Sequence, residues 1–280
     1  MNEKKVVAVI VEGPRACLKN HSSNLHASIY GIFCLHSVDV ARYAALIQAK
    51  SPANCDAHLA ESLFQTHSSD ENAIGSILKE FFSSEEVQFA VVHGDITSDY
   101  ATTKENVVSK VGALIEKIKS KYGYEWEHFI KIIHIADTDG AFTKNCIKQA
   151  EVEKIQYYEG HMEYSNVDEV EKRNEHKSEI MFKLYTTGKV HNIQYRLYFN
   201  SCNLEHVLYG ELKDFSDDEK EVLSDEFAEK YEGKVYEFID FISDKSVAVD
   251  GTYRETWKYI EKDKNSLQRH SNMHLIFKTV

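Results

Sequence analysis

Six apolar residues stand in a row at positions 6–11, Val-Val-Ala-Val-Ile-Val, and five of them are β-branched. A strand with one solvated face alternates apolar and polar side chains. An unalternated β-branched run therefore belongs to a strand covered on both faces, as in a mainly parallel sheet between helices. Glu12-Gly13-Pro14 ends the run. Two further runs repeat the design: residues 87–92 lead into His93-Gly94-Asp95, and residues 129–136 lead into Asp137-Thr138-Asp139-Gly140.

Helical periodicity fills the intervals. Val107, Val111, Leu114, Ile115 and Ile118 mark one face of a helix over 103–122, with Thr103 and Asn106 as caps and Gly123 as its end. A second helix is predicted over 72–82 and others between 27 and 63, so the first 150 residues read as a doubly wound α/β core. After Gly140 the pattern predicts a helix near 167–177, an apolar and aromatic run at 181–184, a strand at 193–199, helices through 204–262 and a terminal strand at 273–277. Two prolines and no Gly/Ser tract leave no autonomous linker. The expected organisation is a catalytic domain at 1–150, with a helical insertion at about 15–85, and a docked, mostly helical α+β region at 151–280.

Charge narrows the functional classes. The 280-residue chain carries a net charge of -12, which excludes a broad cationic surface that coats nucleic acid or anionic lipid. The deficit is three in residues 1–150 and nine in 151–280, and segment 211–263, with eight basic and 17 acidic side chains, accounts for the latter. It reads as a solvated helical surface. Five scattered cysteines form neither a zinc knuckle nor a disulfide framework, so a reducing cytoplasm is expected. The N-terminal apolar run is too short for a signal peptide, and no stretch reaches transmembrane length.

All three runs end in carboxylates: Glu12, Asp95, and the pair Asp137 and Asp139. In an open α/β sheet the C-terminal strand ends form the ligand-binding edge, so parallel neighbours would bring these acids together. Converging carboxylates repel, and a divalent cation relieves that repulsion. Hard oxygen ligands without matching Cys or His select Mg²⁺ or Mn²⁺. The chemistry of such a site is phosphoryl transfer or phosphodiester hydrolysis. Singly, each motif reads as a helix cap or a turn; their joint order favours a site.

A hydrophobic strand ending Val11-Glu12-Gly13, followed over a hundred residues later by one ending Ala136-Asp137-Thr138-Asp139-Gly140, resembles the Toprim domain of topoisomerases, primases and overcoming-lysogenization-defect (OLD) nucleases. At this length the chain is most similar to the small Toprim nucleases of phage defence: RloB-like proteins, the AbiL pair and the nuclease subunit of PARIS. The resemblance implies that Glu12 is the general acid/base or a metal ligand and that Asp137 and Asp139 hold Mg²⁺. It also implies a toxic, antiviral nuclease acting on RNA, tRNA included, or DNA, and governed by an ABC-class ATPase partner; a homodimer is left open. OLD-type nucleases often carry another acid four residues after the glutamate, where this chain has Ala16. Glu205, in Phe199-Asn200-Ser201-Cys202-Asn203-Leu204-Glu205, loosely resembles a further ligand of these families, with helix capping by Ser201 or Asn203 as the alternative.

Asp95 joins the catalytic candidates on the strand-end argument alone. Lys110, Lys117 and Lys121 on the predicted helix, with Lys144 beyond the Asp-x-Asp turn, form a candidate phosphate track, or a solvated helix face. His93 and His134 lie nearest the acidic edge as proton shuttles or structural histidines. His270-x-x-x-His274 lacks the adjacent Glu of a metalloprotease and reads as a turn. Aromatic residues of the C-terminal half, Tyr195, Tyr198, Phe199, Phe238, Phe241, Trp257 and Tyr259, read as core. Two rivals use the same residues. The 135–140 segment resembles motif I of haloacid-dehalogenase phosphatases, with Asp137 as nucleophile, and a non-catalytic Toprim sensor or scaffold would need no chemistry.

Overall fold

The structure, a computed structural model, describes residues 4–12, 69–91, 95–213 and 215–278. The helices expected between 27 and 63, together with Gly13, Ala16, His93 and Cys17, Cys34 and Cys55, lie outside the described residues. Four long strands form the centre of the fold: β1 (Val6–Val11), β2 (Glu86–Val91), β3 (Phe129–Asp137) and β8 (Ile193–Ser201). They lie in the order β2-β1-β3-β8, all parallel, with short β7 (Lys189–Val190) and β9 (His270–Ser271) added antiparallel to β8. The protein is thus mixed α/β with a mainly parallel central sheet flanked by helices. The fourth parallel strand comes from beyond residue 150, so both halves of the chain share one sheet.

The unalternated run at β1 is explained by what covers it. Val6, Ala8 and Ile10 face α2 (Val107–Tyr122), α3 (Val167–Thr186) and α7 (Tyr253–Ile260), contributing to a core with Val111, Ile115, Leu184, Phe199 and Trp257. Val7, Val9 and Val11 face the other way, onto α1 (Ser69–Phe81), α4 (Leu204–Tyr209), α5 (Asp217–Tyr231) and α6 (Val235–Ser243). This makes a three-layer sandwich with period-two division of side chains between two cores. Of the aromatic residues read as core, Tyr195, Tyr198, Phe199, Phe238 and Trp257 are buried, Phe241 is partly buried, and Tyr259 is exposed because it lies on the outer side of α7. A small three-stranded sheet, β4 (Ile147–Gln149), β5 (Gln156–Tyr158) and β6 (His161–Tyr164), follows β3.

Two expectations need correction. Residues 181–184 do not form a separate run but continue α3, whose buried stripe Val170, Asn174, Lys177, Met181 and Leu184 keeps helical spacing throughout. Residues 273–277 are not a terminal strand. Met273–Ile276 is a 3₁₀ helix, and the strand is the dipeptide His270–Ser271 just before it. A short apolar run packed on a sheet face looks alike in either conformation. Gly123 does end α2, at φ 66°, as expected.

Candidate active site

The chain steps from β1 out to β2 and returns to β3 on the other side of β1, so the strand order reverses between β1 and β3. At such a switch point the loops leaving neighbouring strands diverge and open a crevice at the C-terminal edge. Period-two geometry then places the first acid. Glu12 follows Ile10 on the same face of β1, its backbone N–H donating to the Ile135 carbonyl at 3.0 Å, and Ile10 pairs with His134.

Glu12, Asp95, Asp137, Asp139 and Glu205 line a single cavity of about 150 Å³, together with Asn203 and Lys220. The strand-end carboxylates and Glu205 are therefore brought together. Asn203 caps α4, its side chain accepting the His206 N–H at 2.8 Å, and this starts the helix where Glu205 faces the cavity. The capping alternative holds for Asn203, and Glu205 lines the cavity. Glu205 is buried and pairs with Lys220 at 2.5 Å.

Sequence reasoning missed the central group. Lys177, buried on the inner stripe of α3, places Nζ 2.6 Å from Asp95 Oδ2, 2.7 Å from Asp139 Oδ2 and 3.1 Å from Ser98 Oγ. Burial alone would push its pKa down, but the charges of Asp139 and Asp95 override this and raise it, so it stays an ammonium. The same helix face grips the Asp-x-Asp turn: Arg173 donates to the Asp139 carbonyl at 2.7 Å, and Asn174 to the Gly140 carbonyl at 3.4 Å. Asp139 and Gly140 both have left-handed φ, 47° and 70°. At Gly140 a Cβ would come within 2.7 Å of Leu267 Cδ2, so glycine is required on both counts.

Asp95 is held on every side. Its carboxylate accepts from Thr97 N at 2.8 Å, Ser98 N at 3.2 Å and the Thr97 and Ser98 hydroxyls, besides Lys177. Against desolvation, which raises it, the Lys177 charge and the hydrogen bonds of Glu12, Lys177 and Ser98 hold the Asp95 pKa well below the usual carboxylate range. Its oxygens are engaged with Lys177 and the loop after β2.

Glu12 is in the opposite state. Burial, then the neighbouring Asp95 charge, raises its pKa well above the ordinary value. One oxygen accepts from Thr97 Oγ1 at 2.8 Å, and the other lies 2.8 Å from His134 Nε2. His134 is wholly buried, and desolvation lowers its pKa to about 3, so its imidazole is neutral and shares a hydrogen bond with the Glu12 carboxyl group. Tyr195 completes the relay at 2.7 Å from His134 Nδ1.

Five carboxylates against two lysines leave three uncompensated negative charges around the cavity, or two with Glu12 protonated. Oxygen donors and that excess both fit one hard divalent cation. The donors do not form a closed cage: among the described residues no three Asp, Glu, His or Cys side chains ring a metal position. Asp137, whose Oδ1 accepts from Asn200 Nδ2 at 3.4 Å, with Asp139 and Glu205, are the side chains that would hold it, beside Glu12, whose two oxygens are taken by Thr97 and His134.

The lysine track is not assembled at this edge. Lys110, on the first turn of α2, binds Asp99 at 3.1 Å and Thr102 at 2.8 Å. Lys117 and Lys121 are exposed but lie about 10 and 16 Å further along a helix that runs away from the site. Lys144 is exposed beyond the turn.

A family of unknown function, DUF6783, matches residues 18–74, a segment almost wholly outside the described residues. No curated protein and no solved structure matches the chain. Among the described residues no helix is long and apolar enough to cross a membrane.

Proposed function

We propose that the chain is a divalent-metal-dependent nuclease of Toprim type, hydrolysing phosphodiester bonds of RNA or DNA. The observation that carries this reading is the single cavity lined by Glu12, Asp95, Asp137, Asp139 and Glu205 at the β1/β3 switch point. Bound Mg²⁺ or Mn²⁺ would neutralise charge on the phosphate and favour hydroxide over water at neutral pH.

The chain's own residues divide the remaining work. Asp137, Asp139 and Glu205 supply anionic oxygens at the cavity wall. Lys177 holds Asp139 and Asp95 at fixed separation and prevents their mutual repulsion from spreading the two loops. Glu12, protonated and hydrogen-bonded to His134, is the proton donor. Water adds to phosphorus, the bond to the leaving sugar oxygen breaks, and the Glu12 proton passes to that oxygen. The proton released by water returns the Glu12 carboxyl to its starting state. By the same family resemblance, the activity serves antiviral defence in the cytoplasm under a partner ATPase.

The test is incubation of the pure protein with tRNA, single-stranded DNA and duplex DNA, with Mg²⁺ or Mn²⁺ and with EDTA. Metal-dependent cleavage that falls at least a hundredfold in Glu12→Ala supports the reading. Equal activity in wild type and Glu12→Ala overturns it. The phosphatase rival gains one observation, a buried lysine at the Asp-x-Asp turn. It would show instead as phosphomonoester hydrolysis lost in Asp137→Asn and kept in Glu12→Gln.

A further inference from the structure

The opposite edge of the sheet carries a second cavity, of about 220 Å³, whose chemistry is the reverse of the first. Lys131, Gln194, Arg196 and Lys278 surround it, over a floor that includes Tyr198 and Tyr253, and no carboxylate lines it. In a chain of net charge -12, three cations around one cavity are an anomaly. Lys110, Lys119 and Lys213 each sit against a carboxylate; among the described residues Lys131, Arg196 and Lys278 form no ion pair.

The register explains the convergence. Lys131 pairs with Gln194, and Ile133 with Arg196, so Lys131 and Arg196 project from adjacent strands onto the same sheet face. Aromatic rings hold both: Arg196 lies 4.7 Å from the Tyr253 ring centroid, and Lys131 Nζ 4.8 Å from that of Phe82. Lys131 is half-buried, and desolvation lowers its pKa against the smaller opposing charge of Glu85, which does not line the cavity. Lys278 closes the cavity after the 3₁₀ helix Met273–Ile276. Cations held this way repel one another, and a bound dianion removes that cost.

We infer that this cavity is a seat for a phosphate monoester, with Arg196, Lys131 and Lys278 on the phosphate and Tyr198 and Tyr253 beside an attached ring. Five residues of β3 lie between Lys131 and Asp137, a rise of about 20 Å from the cationic cluster to the acid edge. It is a ligand site distinct from the one that holds the carboxylates, and it does not depend on the nuclease reading.

Calorimetric titration of the full chain in EDTA, with inorganic phosphate, AMP and adenosine as probes, tests the assignment. AMP and phosphate should bind and adenosine should not. Arg196→Gln and Lys278→Glu should each weaken AMP at least tenfold, while Asp137→Asn should leave it unchanged. Lys278 is exposed, so its variant reports on the site even where Arg196→Gln lowers stability. A 5′-phosphorylated trinucleotide that binds more tightly than AMP assigns the phosphate to a strand end, and equal affinity assigns it to a free nucleotide. No phosphate-dependent binding at 10 mM, or binding lost in Asp137→Asn and kept in Lys278→Glu, overturns the inference.

Discussion

Glu12 and Asp95 sit on one cavity and titrate in opposite directions, which gives the protein a distinctive pH response. Glu12 is raised, so between 4.5 and its folded value the native state binds more protons than the unfolded chain and stability falls as pH rises. Asp95 is lowered, so its contribution is present above 3.8 and is lost as pH falls through its folded value. Stability without divalent cations should therefore peak in the weakly acidic range. Glu12→Gln reproduces the protonated group, its amide able to donate to His134 and accept from Thr97. Thermal melts in EDTA should show the variant and wild type alike at about pH 5 and the variant more stable at about pH 8. Parallel profiles at all pH values would contradict the protonated assignment. Glu12, Asp137 and Asp139 were legible as residues because strand ends are marked by where an apolar run stops. His134 was legible as a neighbour of the acidic edge, whereas Thr97, which donates to Glu12, was not, because that contact is reached only through the loop after β2.

At the scale of the element, α3 determines whether the acidic edge holds together. Its inner stripe is apolar except for Asn174 and Lys177, and both point at the loops of the site. A lysine on the buried stripe of a helix is a readable signal, but it emerges only when the helix is carried through residues 181–184 instead of being stopped at 177. Lys177→Met removes one cation from two carboxylates that remain partly buried. It should cost about 3 kcal/mol in urea denaturation without metal, and millimolar Mg²⁺ should recover part of that loss. An unchanged midpoint would show that Asp95 and Asp139 do not need the ammonium. The C-terminal 3₁₀ helix was misread for a different reason. Four apolar residues carry too little periodicity to separate strand from helix, and packing on the β-sheet decided the outcome.

Across the whole molecule, the net charge of -12 is partitioned rather than spread. The acidic helices of 211–263 lie largely at the surface, the carboxylate cavity occupies the C-terminal edge of the sheet, and Lys131, Arg196 and Lys278 surround a cavity at the opposite edge. Alternation of strand and helix made the sheet legible from sequence. The partition was not, because each cavity draws on residues separated by more than a hundred positions. The account rests most heavily on the carboxylate cavity as a divalent-cation site, and calorimetric titration with Mn²⁺ addresses this directly. Wild type should bind one ion per chain, Asp139→Asn should weaken it at least tenfold, and Lys117→Gln should leave it unchanged. Absence of binding, or equal binding by wild type and Asp139→Asn, would contradict the account.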